Sequence, residues 1–196
     1  MRHPINIVIA TDKFKGSLTA QEASVSISNG LKRGVSSVLS LDEIKILQIP
    51  LVDGGEGFLS VAGRNGFYKR REAEIIDPLG RTIKSHYLLS EKDPVAVIEM
   101  ALASGLGLLE KEEYNPVEAT SFGFGQLILH AIKDGVSEII AGIGGSATND
   151  GGTGMLQALG YTFRDKSGEV ICGEEDQFMS GSLLSKIFSI DDSGAE

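Results

Sequence analysis

Glycines alternate with hydroxyl, amide and carboxylate side chains along Gly142-Ile143-Gly144-Gly145-Ser146-Ala147-Thr148-Asn149-Asp150-Gly151-Gly152. Backbone N–H groups converge in such a stretch without obstruction from Cβ atoms. A helix opening after it adds partial positive charge. The stretch is a candidate seat for a phosphate or carboxylate: Gly144, Gly145 and Ser146 form the cradle, and Thr148 and Asn149 supply a hydroxyl and an amide. It is not a Walker loop, because no Gly-Lys-Ser/Thr occurs in the chain. Gly-x-Gly-Gly followed by Ser-Ala-Thr also departs from the dinucleotide fingerprint. Strand-to-helix turns are often glycine-rich for packing alone, yet the interleaved polar residues exceed what packing requires.

Two further groups carry reactive side chains. Asp12, Lys13, Lys15 and Ser17 follow the first predicted strand, and Asp53, Gly54, Gly55 and Glu56 follow the second. Ammonium groups suit phosphate, carboxylates suit a metal or a proton, and phosphoryl transfer needs little beyond positioning and charge neutralisation. Plainer readings stand beside these: lysines are commonly solvated, and Asp-Gly at 53–54 and 150–151 is a favoured turn dipeptide. Glu56, flanked by glycines, has no evident structural task. Glu99 ends an apolar run, where a carboxylate is rare unless paired or bound. Ser104 reads equally as a cap. His3, His86 and His130 are scattered, which argues against zinc.

These residues must be held by regular elements. Residues 5–10 predict a buried parallel strand. Thr19 and Glu22 form a capping-box pattern that opens a helix, with Ala23, Ile27 and Leu31 on its apolar face and Gly34 closing it. Residues 44–49 predict the second strand and 58–62 a short helix. The rhythm then changes to a hairpin, 67–76 and 81–89, about the turn Asp77-Pro78-Leu79-Gly80. Residues 95–99 predict another strand, followed by a small-residue turn at Ala103-Ser104-Gly105. A helix carrying Leu127, Ile128, Ala131 and Ile132 follows, stopped by Gly135, and then a buried strand at 138–143. The expected class is α/β, a doubly wound, mostly parallel sheet. The N-terminal part of an incomplete first domain would occupy residues 1–77, and a second α/β domain 78–196, with the hairpin near the junction. Ligands of such sheets bind beyond the carboxyl ends of strands, where the three polar groups fall.

With 196 residues and 41% hydrophobic content the chain can bury a core, but a 6% aromatic share leaves aliphatic side chains to fill it. A formal net charge of −9 argues against a nucleic-acid partner. The single Cys172 fits a reducing compartment. Arg2 and His3 precede an apolar run too short for a signal sequence, and no segment approaches the length of a membrane span. The expected location is the cytoplasm.

The blocks Asp12-Lys13-Phe14-Lys15-Gly16-Ser17, Asp53-Gly54-Gly55-Glu56-Gly57, Ile98-Glu99-Met100-Ala101, Ala103-Ser104-Gly105-Leu106, Asn115-Pro116 and 142–159 resemble the bacterial type I glycerate kinase family. The resemblance implies ATP-dependent phosphorylation of D-glycerate, with 2-phosphoglycerate favoured as product, in a cleft between two α/β domains. It implies that Lys15 contacts phosphate or the glycerate carboxylate. Asp53 or Glu56 would hold Mg²⁺ or orient glycerate hydroxyls, and Asp150 would be a base or metal partner. Asp12, Ser17, Gly54, Gly55, Ser104, Thr120 and Asn149 complete the expected binding set. Thr11 and Lys13 stand where the family motif usually has Pro and Ser, which makes Lys13 the weaker lysine. Family chains are roughly twice as long, so a truncated form is expected, either active or an inactive fragment that needs its missing C-terminal half or self-associates. An NAD-linked oxidoreductase is the alternative from another class, with Glu169 as its ribose-binding acid.

Overall fold

The computed structural model describes residues 4–36, 40, 43–174 and 176–195. Arg2 and His3 lie outside them. The chain divides into two compact units, Met1–Asp53 and Gly54–Glu196. The division falls before the hairpin, not at the expected 77/78 position, because the hairpin strands pair into the second unit's sheet.

In the first unit, strand β1 (Ile5–Ile9) pairs in parallel with β2 (Ile44–Gln48), Ile5 opposite Ile44 and Ile9 opposite Gln48. Helix α1 (Ala20–Val35) connects them. Its opening is the expected capping box: Thr19 Oγ1 accepts from the Glu22 amide at 3.2 Å, and the Glu22 carboxylate accepts from the Thr19 amide at 2.8 Å. The buried face differs from expectation. It carries Ala20, Ala23, Ser24 and Ser28, while Ile27 is exposed, and Gly34 lies inside the helix instead of ending it. Small side chains face inward because the helix sits close to the segment after β1. There the Thr11 hydroxyl donates to the Ala20 carbonyl at 3.1 Å and lies 2.8 Å from the Ser24 hydroxyl. Much of the apolar surface of the strand pair stays open, and Val8 is 59% exposed.

The second unit is built on a four-stranded mixed sheet in the order β3 (Tyr68–Ile76), β4 (Thr82–Ser90), β5 (Val95–Glu99), β6 (Glu138–Gly142). The first two pairings are antiparallel and the last is parallel. Asp77 fixes the hairpin turn: one oxygen accepts from the amides of Leu79 (2.8 Å) and Arg81 (3.0 Å), and the other accepts from Arg81 Nε at 2.5 Å. Strand β5 is covered on both faces. Ala96 and Ile98 join Ala73, Ile75 and Tyr87 against Phe124, Leu127 and Ala131 of helix α4 (Phe122–Lys133). Val97, on the opposite face, packs with Leu88 and with Leu59 of the short helix α2 (Phe58–Ala62). The two-residue period of a strand then puts Glu99 on the α2 side.

A polar tie fixes α4 to the hairpin. The Tyr87 hydroxyl donates to Asp134 Oδ2 at 2.6 Å and Arg71 Nε donates to the same oxygen at 3.0 Å, which holds the Asp134 carboxyl below its usual range. Residues 101–104 form a short helix, α3 (Ala101–Ser104), where a turn was expected. Strand β6 is not buried as its apolar sequence suggested: it is a margin of the sheet, Ile140 is exposed and the adjoining Ile143 is 69% exposed. Sequence composition reports what a strand can bury, not which margin it occupies. Helix α5 (Thr153–Ala158) follows, and β7 (Thr162–Arg164) pairs antiparallel with β8 (Ser189–Asp191). The fold is α/β, with a parallel pair, a mixed four-stranded sheet and an antiparallel pair among the described residues. Among the described residues no helix is long and apolar enough to cross a membrane.

Candidate functional site

Two glycine-rich loops of the second unit are locked side by side. The Gly144 amide donates to the Gly54 carbonyl at 2.8 Å. A Cβ on Gly144 would stand 2.7 Å from Gly55 Cα, and one on Gly142 would stand 2.7 Å from the Gly54 oxygen. No larger residue fits this approach. Glu56 lies beside the second loop, its Cγ 3.7 Å from where a Gly145 Cβ would be. On the far flank Leu106 donates to the Gly145 carbonyl at 2.9 Å and Ala147 to the Ser104 carbonyl at 2.8 Å. The structure thus gathers Gly54, Gly55, Glu56, Ser104, Gly144, Gly145 and Ser146. Ser104 joins them through its backbone: its hydroxyl is fully buried and makes no hydrogen bond.

The loop continues into a polar knot around Asp150, a residue 2% exposed. One Asp150 oxygen accepts from the Ser121 amide (2.9 Å), the Ser121 hydroxyl (2.7 Å) and the Gly154 amide (3.1 Å). The other accepts from the Gly152 amide at 3.0 Å. Ser121 Oγ in turn accepts from Met155 at 2.9 Å. Asn149 is held by its amide, which donates to the Pro116 carbonyl at 3.2 Å. Thr120 is buried nearby, its amide donating to the Pro78 carbonyl at 2.9 Å and its hydroxyl accepting from Phe122 at 3.2 Å.

Much of the expected amide cradle is therefore committed within the protein. Among the described residues no acceptor meets the amides of Gly145, Ser146, Asp150 and Gly151. Helix α5 is only six residues long, so backbone amides rather than a helix dipole would carry anion attraction here. Beside these groups lies a cavity of about 290 Å³, lined by Ile143, Ser146, Thr148, Asn149, Phe124 and Met155. The Ser146 and Thr148 hydroxyls are 2.8 Å apart at its wall. A separate cavity of about 650 Å³ is lined by Thr120, Glu169, Cys172, Phe178 and Lys186 among others. Glu169 thus borders a different cavity from the glycine loop.

The remaining expected residues belong to the first unit. Asp12, Lys15 and Ser17 lie between β1 and α1, and Asp53 is the last residue of that unit. Asp12 Oδ1 accepts from the Lys13 amide at 2.6 Å, and the Ser17 hydroxyl donates to the Phe14 carbonyl at 3.2 Å. Among the described residues no three or more His, Cys, Asp or Glu side chains gather as a metal cage. The carboxylates of Asp53 and Glu56 are still the hard donors that Mg²⁺ takes, one or two at a time beside substrate phosphates.

Absent from the expected set are two anchoring residues, Glu99 and Ser121. Both Glu99 oxygens accept backbone amides, Gly57 on Oε1 and Leu59 on Oε2, each at 2.9 Å. A carboxylate closing an apolar strand was its visible signal. Ser121 gave none, since a serine before a helix is commonplace.

Comparison with known proteins agrees on one family. The sequence model of the glycerate kinase family matches residues 7–196. The chain is 44% identical over 167 residues to a glycerate kinase of Halalkalibacterium halodurans, covering 84% of this chain and 42% of that protein. It is 39% identical over 194 residues to the glycerate 2-kinase of Escherichia coli K12, covering 98% and 47%. A crystal structure from Salmonella typhimurium LT2, assigned to glycerate kinase 2, superposes with a TM-score of 0.73 at 40% identity, covering 97% of this chain and 48% of that one. The chain spans about half the length of the relatives it matches.

Proposed function

The chain belongs to the glycerate kinase family, and from that premise we propose that it is the N-terminal part of a cytoplasmic enzyme that phosphorylates D-glycerate with ATP, the 2-hydroxyl being the acceptor. The observation that carries the reading is the locking of the 54–57 loop to the 142–146 loop, which sets Glu56, Gly145 and Ser146 side by side. Backbone amides at Gly145 and Ser146 and the Ser146 hydroxyl would receive an anionic oxygen. They are fixed before the ligand arrives, so they cost no reorganisation during transfer.

Lys15, with Asp12 and Ser17, is assigned to a phosphate or to the glycerate carboxylate. Asp53 or Glu56 is assigned to Mg²⁺ or to the glycerate hydroxyls. The metal, entering with ATP, would neutralise phosphate charge. Asn149 and Thr148 would orient the acceptor. Asp150 enters as a positioning residue, since its oxygens already accept four hydrogen bonds. The negative net charge of −9 makes these local groups, rather than the overall field, responsible for holding anions. The polypeptide equivalent to the relatives' remaining half is the expected partner.

An ADP-release assay with D-glycerate, on the chain alone and with that polypeptide added, tests the reading, and ³¹P NMR of the product identifies the hydroxyl used. Lys15→Ala should lower kcat/KM about a hundredfold or more without lowering the melting temperature. Release of ADP that does not depend on glycerate would overturn the substrate assignment. Turnover unaffected by Lys15→Ala would remove Lys15 from the site.

A further inference from the structure

Glu99 has a place in the fold that packing does not require. It is 2% exposed and ends strand β5, on the face where Val97 packs against Leu59. An apolar side chain would suit that face. Instead the carboxylate reaches the start of α2, whose N-cap Gly57 contributes no side chain to cap it. Its two oxygens each take one amide, from Gly57 and from Leu59, at 2.9 Å. A buried carboxylate without such donors would be costly, and with both supplied the bonds are charge-assisted.

The consequence runs along a short chain of contacts. Gly57 closes the segment Gly54-Gly55-Glu56. Gly54 accepts from the Gly144 amide at 2.8 Å, and Gly55 and Gly144 stand in contact. Strand β6 leads straight from its pairing with β5, Glu99 opposite Gly142, into the same loop. The end of β5 therefore grips both glycine loops, one through its side chain and the other through the sheet ladder.

We propose that Glu99 is a positioning residue. Its carboxylate sets the 54–57 loop, and through the Gly144–Gly54 bond the free amides of Gly145 and Ser146, in the arrangement that receives an anionic oxygen. The proposal rests on the functional reading above, in which that loop holds a phosphate or carboxylate.

The test uses the chain as it is, with inorganic phosphate as probe and amide resonances as readout. In the wild type, phosphate should shift the Gly145 and Ser146 amides; no shift defeats the functional reading and this proposal with it. Glu99→Gln keeps the size of the side chain but replaces one acceptor by a donor. It should weaken that response about tenfold and raise hydrogen exchange at Gly57 and Leu59, with the amides of β4 and β5 unchanged. Glu99→Asp, which keeps the charge but withdraws both oxygens by one methylene, should show the same loss. Wild-type phosphate shifts that persist undiminished in both variants overturn the positioning role while sparing the functional reading. If neither variant folds, amide hydrogen exchange of the wild type decides. The Gly57, Leu59 and Gly144 amides should then share one opening rate. A Gly144 amide that exchanges independently of Gly57 and Leu59 overturns the proposal.

Discussion

The first unit holds its strands as an open pair, whereas the second holds its central strand β5 covered on both faces. Strands β1 and β5 read alike in sequence, each a short β-branched run. Yet Val8 of β1 is 59% exposed while Ile98 of β5 is completely buried. What differs is the company each strand keeps: β5 lies between two neighbours and beneath α2 and α4, while among the described residues β1 pairs only with β2. Anchoring differs in the same way. The reactive segment of the first unit, 12–17, is held by local bonds such as Ser17 to Phe14, whereas the glycine loops of the second are held by long-range bonds to buried carboxylates, Gly57 to Glu99 and Ser121 to the loop's own Asp150. Rigidity of the candidate site is therefore a property of the second unit.

The sharpest break of that comparison is a pair of truncations read by urea unfolding. Ile98→Ala should cost about 2–5 kcal/mol through lost burial and a cavity, while Val8→Ala should stay within about 0.5 kcal/mol. Equal losses would mean that the two strands are equally packed. A smaller effect is expected at the tie between α4 and the hairpin, where Asp134→Asn should cost about 1–2 kcal/mol at neutral pH. Because the Asp134 carboxyl titrates below its unfolded value in the folded chain, its contribution is complete above about pH 4 and disappears as pH falls through the lower folded value. The stability gap between Asp134→Asn and the parent should therefore close in acid; a gap independent of pH would refute the tie. Least of all, among the described residues each unit buries one hydroxyl without a partner, Ser28 in the first and Ser104 in the second. Ser28→Ala and Ser104→Ala should each be neutral or stabilising by up to about 1 kcal/mol. For Ser104→Ala, activity should not change; a loss would return its hydroxyl to the site.

Local signals were legible. The Thr19–Glu22 box, the Asp77-Pro78-Leu79-Gly80 turn and the polar loops after strands depend on residues within a few positions of one another. So did the suspicion attached to Glu99, a carboxylate closing an apolar strand. The inward face of α1 was not legible, because small residues were selected by a close approach at Thr11 that periodicity does not register. The exposure of β6 was equally hidden, since a margin strand and a central strand can share one composition.

By itself the sequence determined the type and order of the main strands and helices from β1 to β6, the reactive loops between them and which family's motifs they carry, because short-range backbone preferences and side-chain types act within a few residues. Tertiary structure alone decided that the 54–57 and 142–146 loops interlock, that Asp150 is spent on four donors and that Ser104 offers a carbonyl instead of its hydroxyl. Those outcomes depend on groups tens of residues apart reaching hydrogen-bond distance. Only the packed sheet brings them together.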